Sequence, residues 1–362
     1  MRKFFYIFFS VFGFLFSNAT TIINPKFDRS NVPAFHVNKV EVTKDTTFVY
    51  CIYYPEAGSW ANISPKTFLR DTETGKEFPI YRCSGVPFGP QKRTFTSGER
   101  CEMLLCFPSI RNSKRIDFIE EEENLETFNV YGIDMEQGYD TVYRESELSR
   151  FFNRASFYDA AGDTIKAIQY KEKEKEAAEY IYGIRSKALL ACMTNLSFMY
   201  DRYGLYDNAI NMMEALMIRY AGILEKSDRN YALRLRSLAQ FYFHAQKYDL
   251  AISKYKEAIA LFETLGITDN ECASIHFEIG VAYMQLMDIM NSKKWFDSSY
   301  TMFSNLDGRE KNIYYGRLLN NMSNLYSLYI TDYNLAYKYA LEAIQVNNFG
   351  SSDKCVVFIM QR

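Results

Sequence analysis

Apolar positions change period once along this chain. Before residue 143 they alternate or gather in short β-branched and aromatic runs; after it they return every three or four residues. Ahead of that change, Thr47-Phe-Val-Tyr-Cys-Ile-Tyr-Tyr54 reads as a strand, and Phe68 to Arg70 with Glu77 to Tyr81 flank an Asp71-Thr-Glu-Thr-Gly75 turn, giving a hairpin. Glu102 to Phe107, Arg115 to Ile119 and Phe128 to Ile133 add three more runs. Short strands at this spacing predict a β-sandwich over residues 20–143. Asp71 to Gly75 lacks the bidentate Glu that a calcium loop needs and reads as a plain turn; Glu120 to Glu123 reads as a solvated loop.

Beyond residue 143 a single pattern recurs. Leu196-Ser197-x2-Tyr200, Leu238-Ala239-x2-Tyr242, Ile279-Gly280-x2-Tyr283 and Met322-Ser323-x2-Tyr326 share a frame, with Ala155-x2-Tyr158 as a weaker opening copy. Each is followed by a small residue near the start of a second helix: Ala167, Ala209, Ala251, Ser292 and Ala336, at steps of 42, 42, 41 and 44 residues. Small residues let two helices approach, and the tyrosines fill the space between pairs. No single pair buries its face alone, so the pattern predicts stacked helix pairs. The frame resembles the tetratricopeptide repeat, with helices about two turns longer than the usual ~34-residue unit allows. It predicts an all-α superhelical solenoid of about five pairs over 146–347, with 348–362 as a C-terminal tail. Arg154, His276 and Lys171 depart from the repeat pattern, and Lys171-Glu-Lys-Glu-Lys-Glu176 reads as the solvated face of an opening cap. The runs around Leu105 to Ile110, Ile116 to Glu120 and Phe128 to Ile133 resemble a β-domain at the front of exported Bacteroidetes proteins. The fold class expected is therefore multidomain β plus α.

Composition sharpens this picture little. The formal charge of -2 argues against nucleic acid as a partner, and no apolar stretch after the first twenty residues is long enough to span a membrane. Seventeen per cent aromatic residues favour helices packed by rings. Arg2 and Lys3, the apolar run Phe4 to Phe16 and Ser17-Asn18-Ala19 resemble a signal peptide over residues 1–19, implying a periplasmic or secreted protein. Seven cysteines have no metal spacing; Cys101 and Cys106, five apart on a strand, should face opposite ways, while Cys192 and Cys272 read as buried thiols. No phosphate loop, dinucleotide fingerprint, Gly-x-Ser-x-Gly or His-Glu-x-x-His occurs, so no cofactor and no catalytic residue is expected. Cys272 and His276, four apart on a helix, are the sole candidate nucleophile pair and lack an orienting third group.

The repeat resemblance implies a concave groove lined by the first helices. Carried over by position, its lining is Thr194, Phe198, Asp201 and Arg202, then Arg236, Gln240, Phe243 and His244, then Phe277, Val281 and Met284, then Asn320, Asn324 and Ser327. Asn195, Arg236, Asn320 and Asn324 supply only fragments of the Lys and Asn clamp with which relatives hold a C-terminal carboxylate. The expectation is an extended peptide or partner protein, anchored by Phe198, Phe243 and Phe277 and oriented by Arg202 and Arg236. The alternative is the sensing part of a larger peptidase- or kinase-linked protein. The signal sequence predicts that the exported chain starts at Thr20; N-terminal sequencing checks it, and intact Met1 on the exported protein would contradict it.

Overall fold

The strand-forming runs pair into antiparallel ladders. The structure is a computed structural model that describes residues 19–96, 99–122, 124, 127–220, 229–309 and 312–348. The signal peptide expected over residues 1–19, apart from Ala19 itself, and the tail from 349 onward, with Cys355, lie outside the described residues. The strands are β1 (Thr20–Ile23), β2 (Arg29–Ser30), β3 (Phe35–Val42), β4 (Thr46–Tyr53), β5 (Trp60–Ala61), β6 (Phe68–Asp71), β7 (Glu77–Pro79), β8 (Arg82–Ser84), β9 (Arg93–Thr94), β10 (Cys101–Pro108), β11 (Arg115–Ile119) and β12 (Val130–Asp134). They form a five-stranded sheet in the order β1-β3-β4-β10-β8, a second in the order β2-β12-β11-β6-β7, and a ribbon of β5 with β9.

Alternation decides which residues the two sheets share. Along β10, Cys101, Met103, Leu105 and Phe107 are buried in the common core while Glu102 is exposed; Cys106 is also buried but lies outside that core, on the other face. Phe35, buried in the core, stacks on Phe128 at 4.5 Å and lies tilted 5.6 Å from Phe118. The β6–β7 hairpin closes as expected, because the Asp71 carboxylate accepts from the Glu73 and Thr74 backbone amides and the Thr74 hydroxyl. Glu120 is a correction. It is buried rather than solvated, since its carboxylate accepts the Ser64 and Phe128 amides and so satisfies two otherwise orphaned donors. The six described cysteines are free thiols.

Ten α-helices follow among the described residues: α1 (Glu145–Ala160), α2 (Thr164–Tyr182), α3 (Lys187–Arg202), α4 (Tyr206–Tyr220), α5 (Arg229–His244), α6 (Tyr248–Thr264), α7 (Asn270–Gln285), α8 (Ile289–Ser304), α9 (Ile313–Leu325) and α10 (Tyr333–Asn348). The chain divides into two compact units within α3, after Leu196. The first unit contains both sheets together with α1 and α2. There the Ile184 and Arg185 amides donate to the Phe27 and Asp28 carbonyls, and Gly183 takes a positive φ where any Cβ would collide with Asp28.

One turn recurs between the helices of a pair. Gly162, Gly204, Gln246, Met287 and Thr331 all adopt left-handed backbone, each five positions before its small residue. In each copy the next amide donates back to the tyrosine of the repeated frame, at Tyr158, Tyr200, Tyr242, Tyr283 and Tyr326. That following residue is an N-capping Asp in three copies: Asp163, Asp288 and Asp332 accept from the amides of Lys166, Asn291 and Leu335. In four copies the left-handed residue stands four positions after the tyrosine; in the fifth it stands five after. The added residue is taken up as a π-helical turn over Tyr326–Ile330, which accounts for part of the longer final step.

Lys171 departs from its expected solvated setting. It is 6% exposed, its ammonium 2.7 Å from the buried Glu174 carboxylate and above the Phe152 ring. On a helix, positions three apart share a face, so only Lys173 and Glu176 of this charged run point outward.

In the second unit Gly280 faces the buried Phe296, whose ring a Cβ at position 280 would strike. Gly280→Leu should therefore destabilise the protein by ~1 to 3 kcal/mol or more through overpacking, despite the better helix propensity of leucine. A denaturation midpoint equal to the wild type's would show that α7 and α8 do not approach here.

Candidate functional site

Three first helices of the second unit line one cleft of about 270 Å³. The end of α5 contributes Gln240, Phe243 and His244; the middle of α7 contributes Phe277, Glu278 and Val281; α9 contributes Tyr314, Arg317 and Asn321, from its start to past its middle; buried Tyr255 of α6 completes the lining. The contribution moves toward the N-terminus from helix to helix, so the helices cross the cleft obliquely. That drift explains why the expected Asn324 and Ser327 do not line it, since they sit farther along α9 or in the turn beyond; Asn320, one residue before Asn321, does not line it either, and its side-chain oxygen is buried. Tyr314, Arg317 and Asn321 take their place, and sequence reasoning at a fixed offset from the repeat frame misses them.

Gln240, Phe243, His244, Phe277 and Val281 are thus brought together as expected. Phe277 is buried rather than exposed, stacked 5.9 Å from Phe296 and edge-on to Tyr314, so it forms the wall of the cleft. Met284 packs half-buried into the core of α7 to α10. Asn320 keeps its side-chain oxygen buried without a hydrogen bond, Asn324 is exposed, and the Ser327 hydroxyl donates to the Asn324 carbonyl. Thr194 donates to the Leu190 carbonyl of its own helix. Phe198 is 40% exposed and meets buried Phe241 edge-on at 5.4 Å, while Arg202 is exposed near the Tyr203 ring. None of these last three lines the cleft.

Arg236 is the main correction among the expected site residues. It is 8% exposed, its guanidinium held bidentate by Glu278 at 2.9 and 2.7 Å, with Glu271 as a further carboxylate and the Tyr314 ring 4.9 Å away. Burial opposes its charge, but the paired carboxylates outweigh this and hold its pKa raised. The Gln240 amide donates to Glu278 at 2.8 Å and completes the network. Arg236 therefore neutralises Glu278 in the cleft wall and presents no free cation to a ligand. Arg236 and Glu278 stand 42 positions apart, one repeat step, as do Tyr300 and Glu342, which also pair. Complementary polar residues one step apart are the sequence signal that would have found them.

The mouth of the cleft carries the titratable charge. His244 Nδ1 lies 2.7 Å from Asp201, which raises the imidazole pKa against the opposing effect of burial. Because the folded value lies above the unfolded one, this pair stabilises the fold below about pH 6.5, and that contribution fades as pH climbs through the raised pKa. Arg317 is exposed, and no carboxylate pairs with it among the described residues. The chemistry on offer is thus apolar and aromatic surface beside one available guanidinium.

The nucleophile pair weighed from sequence does not assemble. Burial pushes the Cys272 thiol up to about 11 and the His276 imidazole down to about 4, and His276 is engaged with Ser298 at 2.8 Å and packed on Trp295. Among the described residues no cluster of His, Cys, Asp and Glu could hold a metal ion, and no helix is long and apolar enough to cross a membrane.

No family model matches the sequence, and no curated protein matches it. Among solved structures the chain is similar to the TPR-like repeats assigned to a kinesin light chain of Podosopora anserina, at 13% identity and a TM-score of 0.48, covering 57% of this chain and 97% of that one. It is also similar to BtubC from P. vanneervenii, at 18% identity and a TM-score of 0.48, covering 60% and 88%. A third is a Rap protein complexed with Competence and Sporulation Factor, at 13% identity and a TM-score of 0.44, covering 57% and 55%.

Removing one member of the buried pair strands the other's charge. Arg236→Ala should cost ~3 to 5 kcal/mol, whereas Arg236→Met combined with Glu278→Gln, which leaves no buried charge, should recover most of that loss. Urea titration compares them; equal losses in the two variants would show that the pairing is not what Arg236 supplies.

Proposed function

We propose that this chain is an exported, non-catalytic binding protein built from a β-sandwich and tetratricopeptide-type repeats, and that it takes a peptide or a segment of a partner protein in the cleft of α5, α7 and α9. The observation that carries this reading is the pairing of apolar wall and free cation: Phe243, Val281 and Tyr314 beside Arg317, with the Glu278 carboxylate of the same lining already neutralised by Arg236. An apolar side chain of the ligand would be buried against the rings, and a carboxylate from its backbone terminus or an acidic side chain would meet Arg317. The raised pKa of His244 adds a second cation at mildly acidic pH, though Asp201 shares it. A non-catalytic role is supported by the character of the thiols and imidazoles, because burial raises all six described cysteine thiols and lowers both His36 and His276 to about 4.

Selection from a random peptide-display library tests the reading. Enriched peptides should pair an acidic group or free C-terminus with a large apolar residue. Arg317→Ala and Phe243→Ala should each weaken their binding at least tenfold without lowering the thermal midpoint by more than a few degrees. Peptides that bind both variants as well as wild type would move the site elsewhere on the molecule.

A further inference from the structure

The first unit holds a second cleft, of about 670 Å³, between strands β3 and β4 and the start of α1, a size typical of small-molecule sites. His36 on β3 lines it. The residue is only 7% exposed, its ring stacked 5.5 Å from Tyr180 and edge-on to Tyr54, and its ring nitrogens have no hydrogen-bond partner among the described residues. Close by in sequence and lining the same cleft, Asn38 has a buried side-chain oxygen that no donor meets. A buried polar group left without a partner costs ~1 to 3 kcal/mol, so a fold that keeps the Asn38 oxygen in this state beside the cleft has a use for it.

The charge lining this cleft is positive. Arg144 and Arg150 reach it from the start of α1, both exposed and both without a carboxylate partner among the described residues. Arg100, by contrast, is paired with Glu102 at 2.8 Å, and the Glu147 carboxylate is occupied in accepting the Arg144 backbone amide at 2.9 Å. Burial keeps the His36 imidazole neutral, so one ring nitrogen donates and the other accepts, the pairing that a hydroxyl group satisfies. Ile52 and Tyr54 supply a partly apolar wall. A ligand matching this lining carries an anion at one end and several hydroxyls on a compact ring.

We propose that this cleft binds a small carboxylated sugar, its carboxylate met by Arg144 and Arg150 and its hydroxyls by His36 and Asn38. The site is separate from the repeat cleft and does not depend on what that cleft holds. Isothermal titration of the full chain with D-glucuronate tests it, with D-glucose as the neutral control and inorganic sulfate as the anion-only control. Saturable glucuronate binding is expected, with no binding of glucose and with the His36 ring resonances shifting in NMR spectra. The Arg144→Ala/Arg150→Ala double variant, whose changes are both on the surface, should bind at least tenfold more weakly. No saturable glucuronate binding, or binding unmoved by the double variant, would overturn the proposal; sulfate bound as tightly as glucuronate would overturn the sugar assignment and leave only an inorganic anion site.

Discussion

A left-handed residue after each first helix sets the register on which the repeated half depends. Gly162, Gly204, Gln246, Met287 and Thr331 turn the chain, the following amide ties back to the frame tyrosine, and five positions later a small residue starts the close approach of the second helix. Glycine adopts this backbone without strain, but three copies use side chains for which it costs ~1 to 2 kcal/mol. The packing between helices therefore specifies the turn at least as strongly as the turn residue does. Where the copy lengthens by one residue after Tyr326, the chain keeps the hydrogen bond to that tyrosine and widens into a π turn instead of shifting register.

That register decides what reaches the cleft. Because the first helices cross it obliquely, equivalent positions in successive copies do not perform equivalent roles: α5 offers residues near its end, and α9 residues from its start to past its middle. Polar residues one step apart join neighbouring copies, and one such link, Arg236 to Glu278, ties the carboxylate that lines the cleft to a buried guanidinium. What remains is Arg317 beside rings. The electrostatics of the site follow from which charges are spent inside the fold.

Local pattern made much of this legible. The small residues of the repeat, Ala167, Ala209, Ala251, Ser292 and Ala336, fall near the starts of second helices as the frame foretold, and Asp71 to Gly75 foretold its hairpin, because both depend on neighbours within a few residues. The cleft was legible for α5 and α7, where Gln240, Phe243, His244, Phe277 and Val281 fall at the expected offsets, and not for α9. The misplaced charges share a cause: each has a partner that the pattern did not set beside it. Lys171 looked solvated until Glu174 and the Phe152 ring were placed beside it, and Glu120 looked like loop until the Ser64 and Phe128 amides reached it. Arg236 looked available because Glu278 is a full repeat away in sequence.

The oblique cleft of α5, α7 and α9 is the proposed docking site of a peptide ligand. Hydrogen-exchange mass spectrometry of the full chain, with and without a peptide selected for binding, tests it most directly. Slowed exchange is expected, confined to the segments carrying Gln240 to His244, Phe277 to Val281 and Tyr314 to Asn321. Protection confined to the β-strands, or to α6 and α8 with these segments unchanged, would contradict it.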